Sequence, residues 1–168
     1  MNLAYKHLIP EDFSATSRVW IYQSPRLFSL TEALEIEKTI TEFISGWQSH
    51  GTPVKGFGTI FFGQFILLMA DEEVTGVSGC STDSSVRLIK SIEETYGVNL
   101  FDRTSLAFCI NEKIQLIPMN QLEYAIENGF IGQESIFLDN SVLNKHALLN
   151  EWFKPVKTSW IGRRYSIL

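Results

Sequence analysis

The sequence is poor in the residues that most often announce chemistry. It has only two cysteines, Cys80 and Cys109, and three histidines, His7, His50 and His146, set far apart. Two cysteines make no disulfide framework. A site built from the three histidines would need long-range convergence, so no metal is expected. The chain has no Gly-x-x-x-x-Gly-Lys-Ser/Thr loop, no Gly-x-Gly-x-x-Gly opening a helix, no His-Glu-x-x-His and no Cys-x-x-Cys. The usual sequence marks of nucleotide, dinucleotide and zinc-hydrolase sites are therefore missing, and no cofactor is called for. Gly56 and Gly58 are followed by Phe61 rather than a third glycine. In Gly76-Val77-Ser78-Gly79-Cys80 the glycines have the wrong spacing for a nucleophile elbow.

Long apolar runs and positive charge are scarce as well. The longest run, Phe65 to Ala70, is far too short to span a bilayer. The N-terminal residues lack the apolar core of a signal peptide, so a cytoplasmic location is expected. The formal charge of −5 gives no general attraction to nucleic acid or to an anionic membrane, and neither is expected as a partner. The charge is uneven, however. Residues 154–168 carry Lys154, Lys157, Arg163 and Arg164 with no acidic side chain, a +4 tail on a −9 body. Such a tail either folds back on the body or meets an anionic partner.

What is present reads as an ordinary globular chain: 45% apolar, 20% charged, and long enough at 168 residues to bury a core as one domain. Ser17 to Gln23 alternates and is rich in β-branched and aromatic residues, which predicts a strand. Val19 and Ile21 share one face, and Arg18, Trp20 and Tyr22 the other, placing a cation beside two rings. Aromatic residues on a strand suit base stacking, but the acidic body supplies no electrostatic groove. Ser29-Leu30-Thr31-Glu32 matches a capping box, and Ala33, Ile36, Ile40, Phe43, Ile44 and Trp47 follow at helical steps. That helix is expected to reach about Gln48 and stop at Gly51 and Pro53, with His50 just past its C-terminus, where the dipole favours an imidazolium.

Three consecutive antiparallel strands are predicted at about 54–62, 64–71 and 74–79, with turns at Gly63-Gln64 and Glu72-Glu73. The Asp71-Glu72-Glu73 triplet alternates sides on a strand and reads as a solvated turn rather than a metal site. Beyond it, Ser81, Thr82 and Asp83 are capping residues, with Val86, Ile89, Ile92 and Tyr96 at helical spacing and Gly97 as a stop. A helix from about residue 82 to 96 would aim its free amides and positive dipole end at Gly79-Cys80-Ser81. That arrangement can hold an anion or lower a thiol pKa. Plainer readings stand beside it: Ser81 and Asp83 simply cap the helix, Gly79 makes a turn, and Cys80 is a small buried apolar residue.

Further on, Leu106 to Ile110 reads as a buried strand containing Cys109, and Asn111-Glu112-Lys113 as a hairpin turn into Ile114-Gln115-Leu116-Ile117. Asn120 to Glu123 repeats a capping pattern for a short helix ending at Gly129. Asp102 and Arg103, which precede the Cys109 strand, either hold a ligand or tie down a loop. Ser135 to Leu138 reads as a last strand, and Asn144 caps a helix with Leu148, Leu149 and Trp152 that ends before Pro155. Arg163 and Arg164 lie beside Trp160 and Tyr165, where guanidinium groups either recognise phosphate or carboxylate or pin the terminus.

Four stretches, Ser17 to Ser24, Trp47-x-x-His50-Gly51, Ser78-Gly79-Cys80-Ser81-x-Asp83-x-Ser85-Val86 and Phe101-Asp102-Arg103, resemble a group of uncharacterised bacterial proteins. The resemblance extends over nearly the whole chain. Such proteins sometimes carry the label of ABC transporter ATPase. Here the phosphate loop that an ATPase of that class needs is missing, so the resemblance implies a family and no activity.

The expected fold is a single α+β domain, residues 1–168, with a largely antiparallel sheet of about six or seven strands and two main helices packed on it. Two functions fit. One is a non-catalytic binding or assembly module holding a small anionic ligand or a partner's carboxylates at Gly79, Ser81, Thr82 and Asp83, with Arg18, Arg163 or Arg164; a homodimer stays open. The alternative is a thiol enzyme with Cys80 as nucleophile and His50 as base.

Overall fold

The computed structural model describes residues 4–73, 76 and 79–167, of which Cys80 is described only in its backbone. The fold is α+β. In chain order the main elements are β1 (Arg18–Gln23), α1 (Leu30–Gly46), β2 (Gln48–Ser49), β3 (Thr52–Pro53), β4 (Gly56–Phe61), β5 (Phe65–Ala70) and α2 (Gly79–Tyr96). There follow β6 (Ser105–Ile110), β7 (Lys113–Pro118), α3 (Leu122–Glu127), β8 (Ile136–Leu138), α4 (Lys145–Glu151), β9 (Phe153–Pro155) and α5 (Trp160–Arg164).

All strand pairs among the described residues are antiparallel. Where the sequence suggested one sheet of six or seven strands, the strands among the described residues divide into three sheets, ordered β1-β5-β4, β2-β3 and β7-β6-β8-β9. The division follows from what each strand buries. Alternation along β1 sends Val19 and Ile21 into a core shared by both larger sheets, with Leu67, Met69, Ala107, Leu138, Leu148 and Trp152. Trp20 and Tyr22 face the other way, onto α1 and α2 through Ile36, Ile40, Ile89 and Ile92. The four-stranded sheet behaves likewise. Ala107 and Leu138 enter the shared core, while Phe108 and Phe137 face a third cluster closed by α3, Val156 and Ile161.

Helix α1 starts as expected: Ser29 accepts from the Glu32 N–H and Glu32 reaches back to the Ser29 N–H, a complete capping box. It ends earlier, at Gly46, because Trp47 is already extended (φ −72°, ψ 123°). Gln48 to Pro53 then makes a small hairpin that the sequence did not suggest, with His50 (φ 51°) and Gly51 (φ 79°) in its turn. His50 therefore sits in a β-turn rather than against the end of a helix dipole. The helix can lie close to β4 because Gly58 has no side chain: a Cβ there would come within 2.5 Å of Ile40 Cγ2.

Helix α2 begins at Gly79, three residues before the expected start, and stops in a Schellman arrangement, with Gly97 at φ 60° and the Val98 N–H donating to the Glu93 carbonyl at 3.2 Å. The predicted strand at 74–79 falls largely outside the described residues, and its last residue belongs to α2. The capping pattern at Asn120 is not used, since α3 starts after Gln121 without a side-chain cap. Asn144 does cap α4, accepting from the Ala147 N–H at 2.9 Å. The basic tail packs on the second sheet: Val156 and Ile161 are fully buried, and Lys157 pairs with Glu134 at 2.5 Å. No helix among the described residues is long and apolar enough to cross a membrane.

Candidate ligand groove beside the first strand

The residues expected to form a site at residues 79–84 lie in the first turn of α2, not in a turn before it. Gly79 and Asp83 are exposed and Thr82 is half-buried, but Ser81 is 0% exposed and its carbonyl accepts from Trp47 Nε1 at 3.0 Å. Ser84 and Ser85 turn their hydroxyls back to the carbonyls of Ser81 and Thr82, both at 2.7 Å, so they do not cap the helix start. The hairpin bearing His50 packs beside this turn, and Ser49 Oγ donates to the Gly76 carbonyl at 2.8 Å. The Cys80 side chain lies outside the described residues, and with it the proposed sulfur to imidazole pairing.

The expected cations are dispersed. Arg18 lies over the Trp20 ring at 5.1 Å and pairs with Glu72 at 3.6 Å, and Trp20 in turn contacts Trp47. Arg18 is thus linked through two indoles to the helix start. Arg163 and Arg164 end α5 on the far side of the second sheet, with Arg164 over Tyr165 at 5.7 Å. Asp71, expected in a solvated turn, is instead buried, because it accepts from the Ser14 and Glu73 N–H groups, both at 3.2 Å, with Lys55 at 3.4 Å. No group of three or more His, Cys, Asp or Glu among the described residues could hold a metal ion.

The structure instead opens a groove along the outer edge of β1. Its cavity of about 380 Å³ is lined by β1, the start of β6, the loop after β8 and Trp160. The fold explains why a gap is left here. In the first sheet β5 is central, so β1 is an edge strand, and the second sheet approaches without continuing it. The edge is closed at both ends. At one end the Val19 N–H donates to the Leu143 carbonyl at 3.0 Å and the Lys145 N–H to the Ser17 carbonyl at 2.9 Å. At the other, Arg103 Nη1 donates to the Ile21 carbonyl at 3.3 Å and Gln23 Nε2 to the Ser105 carbonyl at 3.1 Å.

Behind the groove a chain of amides fastens the two sheets. Trp152 Nε1 donates to Asn140 Oδ1 at 3.0 Å, and Asn140 Nδ2 donates to Gln23 Oε1 at 2.8 Å. The acidic groups of the lining are committed elsewhere. Burial pushes the Asp139 carboxyl up, but hydrogen bonds from Ser141 and from Lys154 at 2.9 Å outweigh it and leave it below the ordinary carboxylate value. Asp102 is held low by the Thr104 hydroxyl and N–H, at 2.7 and 2.8 Å. Arg103 is the one lysine or arginine among the lining residues, and it is exposed. Its field reaches Tyr22, where burial raises the phenol pKa and the guanidinium partly offsets that rise.

The sequence weighed Asp102 and Arg103 as ligand-holding residues but offered no sign of Gln23, Asn140 and Trp152 as their support. The only trace of that support was the polar cluster Asp139-Asn140-Ser141, which reads as a turn. No protein-family model, curated protein or solved structure matches the chain.

Proposed function

We propose that the protein is a non-catalytic binding module that holds an anionic group, carboxylate or phosphate, in the groove beside β1. The observation that carries this reading is the position of Arg103, a solvent-facing guanidinium at the mouth of a cleft in which both acidic side chains already have partners. A guanidinium in such a setting keeps most of its N–H donors for a ligand, and charge-assisted bonds of this kind are the strong ones. The first turn of α2 is the second place where an anion would be favoured. We treat residues 1–168 as one domain, because both larger sheets build the same core.

The test is a calorimetric and thermal-shift screen of small carboxylates and phosphates against the natural protein and Arg103→Gln. A bound ligand at about 100 times its Kd stabilises by roughly 2.7 kcal/mol, a shift readily seen in Tm. The expected result is a shift that the Arg103 variant loses. A shift kept in Arg103→Gln would move the site to the α2 start, and no shift with any anion would end the reading. The thiol-enzyme alternative has its own test: Cys80 alkylation by iodoacetamide near neutral pH, where a rate no faster than that of an ordinary thiol removes it.

A further inference from the structure

The outer edge of β1 says more about the ligand than its charge. Because the Val19 N–H and the Ile21 carbonyl are both bonded on this side, residues 17, 19, 21 and 23 are the ones whose backbone groups point away from β5. Between the two closed ends remain the Val19 carbonyl and the Ile21 N–H. Neither has a partner among the described residues. Ile21 is 2% exposed, and a buried backbone N–H without a partner is rare in a folded protein. These two groups flank Trp20 and open on the groove.

From this geometry we infer that the groove receives the free C-terminus of an extended peptide, running parallel to β1 and pairing through its last residue. This inference rests on the binding function proposed above. One residue of a parallel strand uses the carbonyl before and the N–H after the residue it faces, which is the pair left open around Trp20. The last peptide residue would donate its N–H to the Val19 carbonyl. One oxygen of its carboxylate would accept from the Ile21 N–H, and the other would meet the guanidinium of Arg103, which stands at the adjacent Ile21 carbonyl. An internal segment cannot continue past this point, because Arg103 occupies the next acceptor, the Ile21 carbonyl. An antiparallel peptide could reach the same two groups, but it would bring its N-terminal side to the cation. Charge therefore selects both the direction and the terminus.

The walls add a preference. A last residue facing Trp20 sends its side chain to the Trp20 and Tyr22 side of the strand, and Leu143 stands at the rim of the groove 74% exposed. An apolar last side chain fits such a lining.

The experiment uses fluorescein-labelled hexapeptide pools with the last two positions randomised, each prepared as free acid and as C-terminal amide, titrated by fluorescence polarisation. The free-acid pool is expected to bind, enriched in apolar last residues, and amidation to weaken binding about tenfold or more, the effect of losing a charge-assisted hydrogen bond. Arg103→Gln should abolish the difference between acid and amide, Arg103→Lys should keep part of it, and the Ile21 amide resonance should move on binding. Equal affinity for acid and amide, or an unmoved Ile21 resonance, overturns the inference. If small carboxylates bind in an Arg103-dependent way while no peptide does, the inference fails and the binding function stands. If neither binds, both fail.

Discussion

Replacing Asn140 by alanine tests whether the groove is held open by the amide chain behind it. Asn140 is the middle link: it accepts from Trp152 Nε1 and donates to Gln23 Oε1. Trp152 is 0% exposed, so its indole N–H is left in the core, whereas Gln23, 6% exposed, lines the groove, where water can reach its Oε1. Truncation thus leaves one buried donor unpaired, at a cost of roughly 1–3 kcal/mol. The expected loss is about 1–3 kcal/mol. For a chain of this length a loss of about 3 kcal/mol lowers Tm by roughly 6–12 °C. Urea denaturation followed by tryptophan fluorescence should show the midpoint falling with an unchanged m-value. Gln23→Ala alone breaks the second link, so the double variant should cost less than the sum of the two. A loss under about 0.5 kcal/mol for Asn140→Ala, the range of ordinary surface substitutions, would refute the reasoning and detach the groove from the core.

Two further outcomes follow from the packing and charge. Gly162→Ala should destabilise the docking of α5, because a Cβ there would meet the Val156 carbonyl oxygen at 2.6 Å and Lys157 Cα at 2.9 Å, both backbone atoms. Overpacking of this kind costs about 1–3 kcal/mol, read as a lower midpoint and faster amide exchange over residues 156–165. Acid should weaken the fold through Asp71 and Asp139, whose carboxyls are both held below their ordinary value of 3.8. The folded state then binds fewer protons than the unfolded chain. Their contribution is complete above pH 3.8 and is lost as pH falls through the lower folded values, and Asp139→Asn should flatten that acid limb in a pH series of denaturation midpoints.

Local rules made much of the fold legible. The capping box at Ser29, the alternation of β1, the hairpin at Asn111-Glu112 (φ 49° and 59°), the stop at Gly97 and the cap at Asn144 depend on neighbours within four or five residues, and each is where the sequence puts it. The misplaced features are those decided at long range. Helix α1 gives way at Trp47 because that ring is needed in a small core with Val54 and Ala70, and the chain turns into a hairpin to deliver it. Helix α2 starts at Gly79, next to the Trp47 indole that bonds to Ser81, although the capping residues come later. Splitting the strands into separate sheets is not written in any strand, because each alternates equally well in one sheet or in two.

The candidate site follows the same division. By itself the sequence determined that this is an α+β chain with antiparallel strands, acidic overall, without the motifs of phosphate-loop or zinc chemistry. It also placed Arg103 beside a loop acid as a residue to weigh. Only the tertiary structure decided that β1 would be an edge strand, that the loop after β8 would meet only the start of it, and that Arg103 would close the far end. The physical reason is that a groove is the space between elements far apart in the chain. Leu143 and Ile21 are separated by more than a hundred residues, and no local pattern in either segment encodes the gap between them.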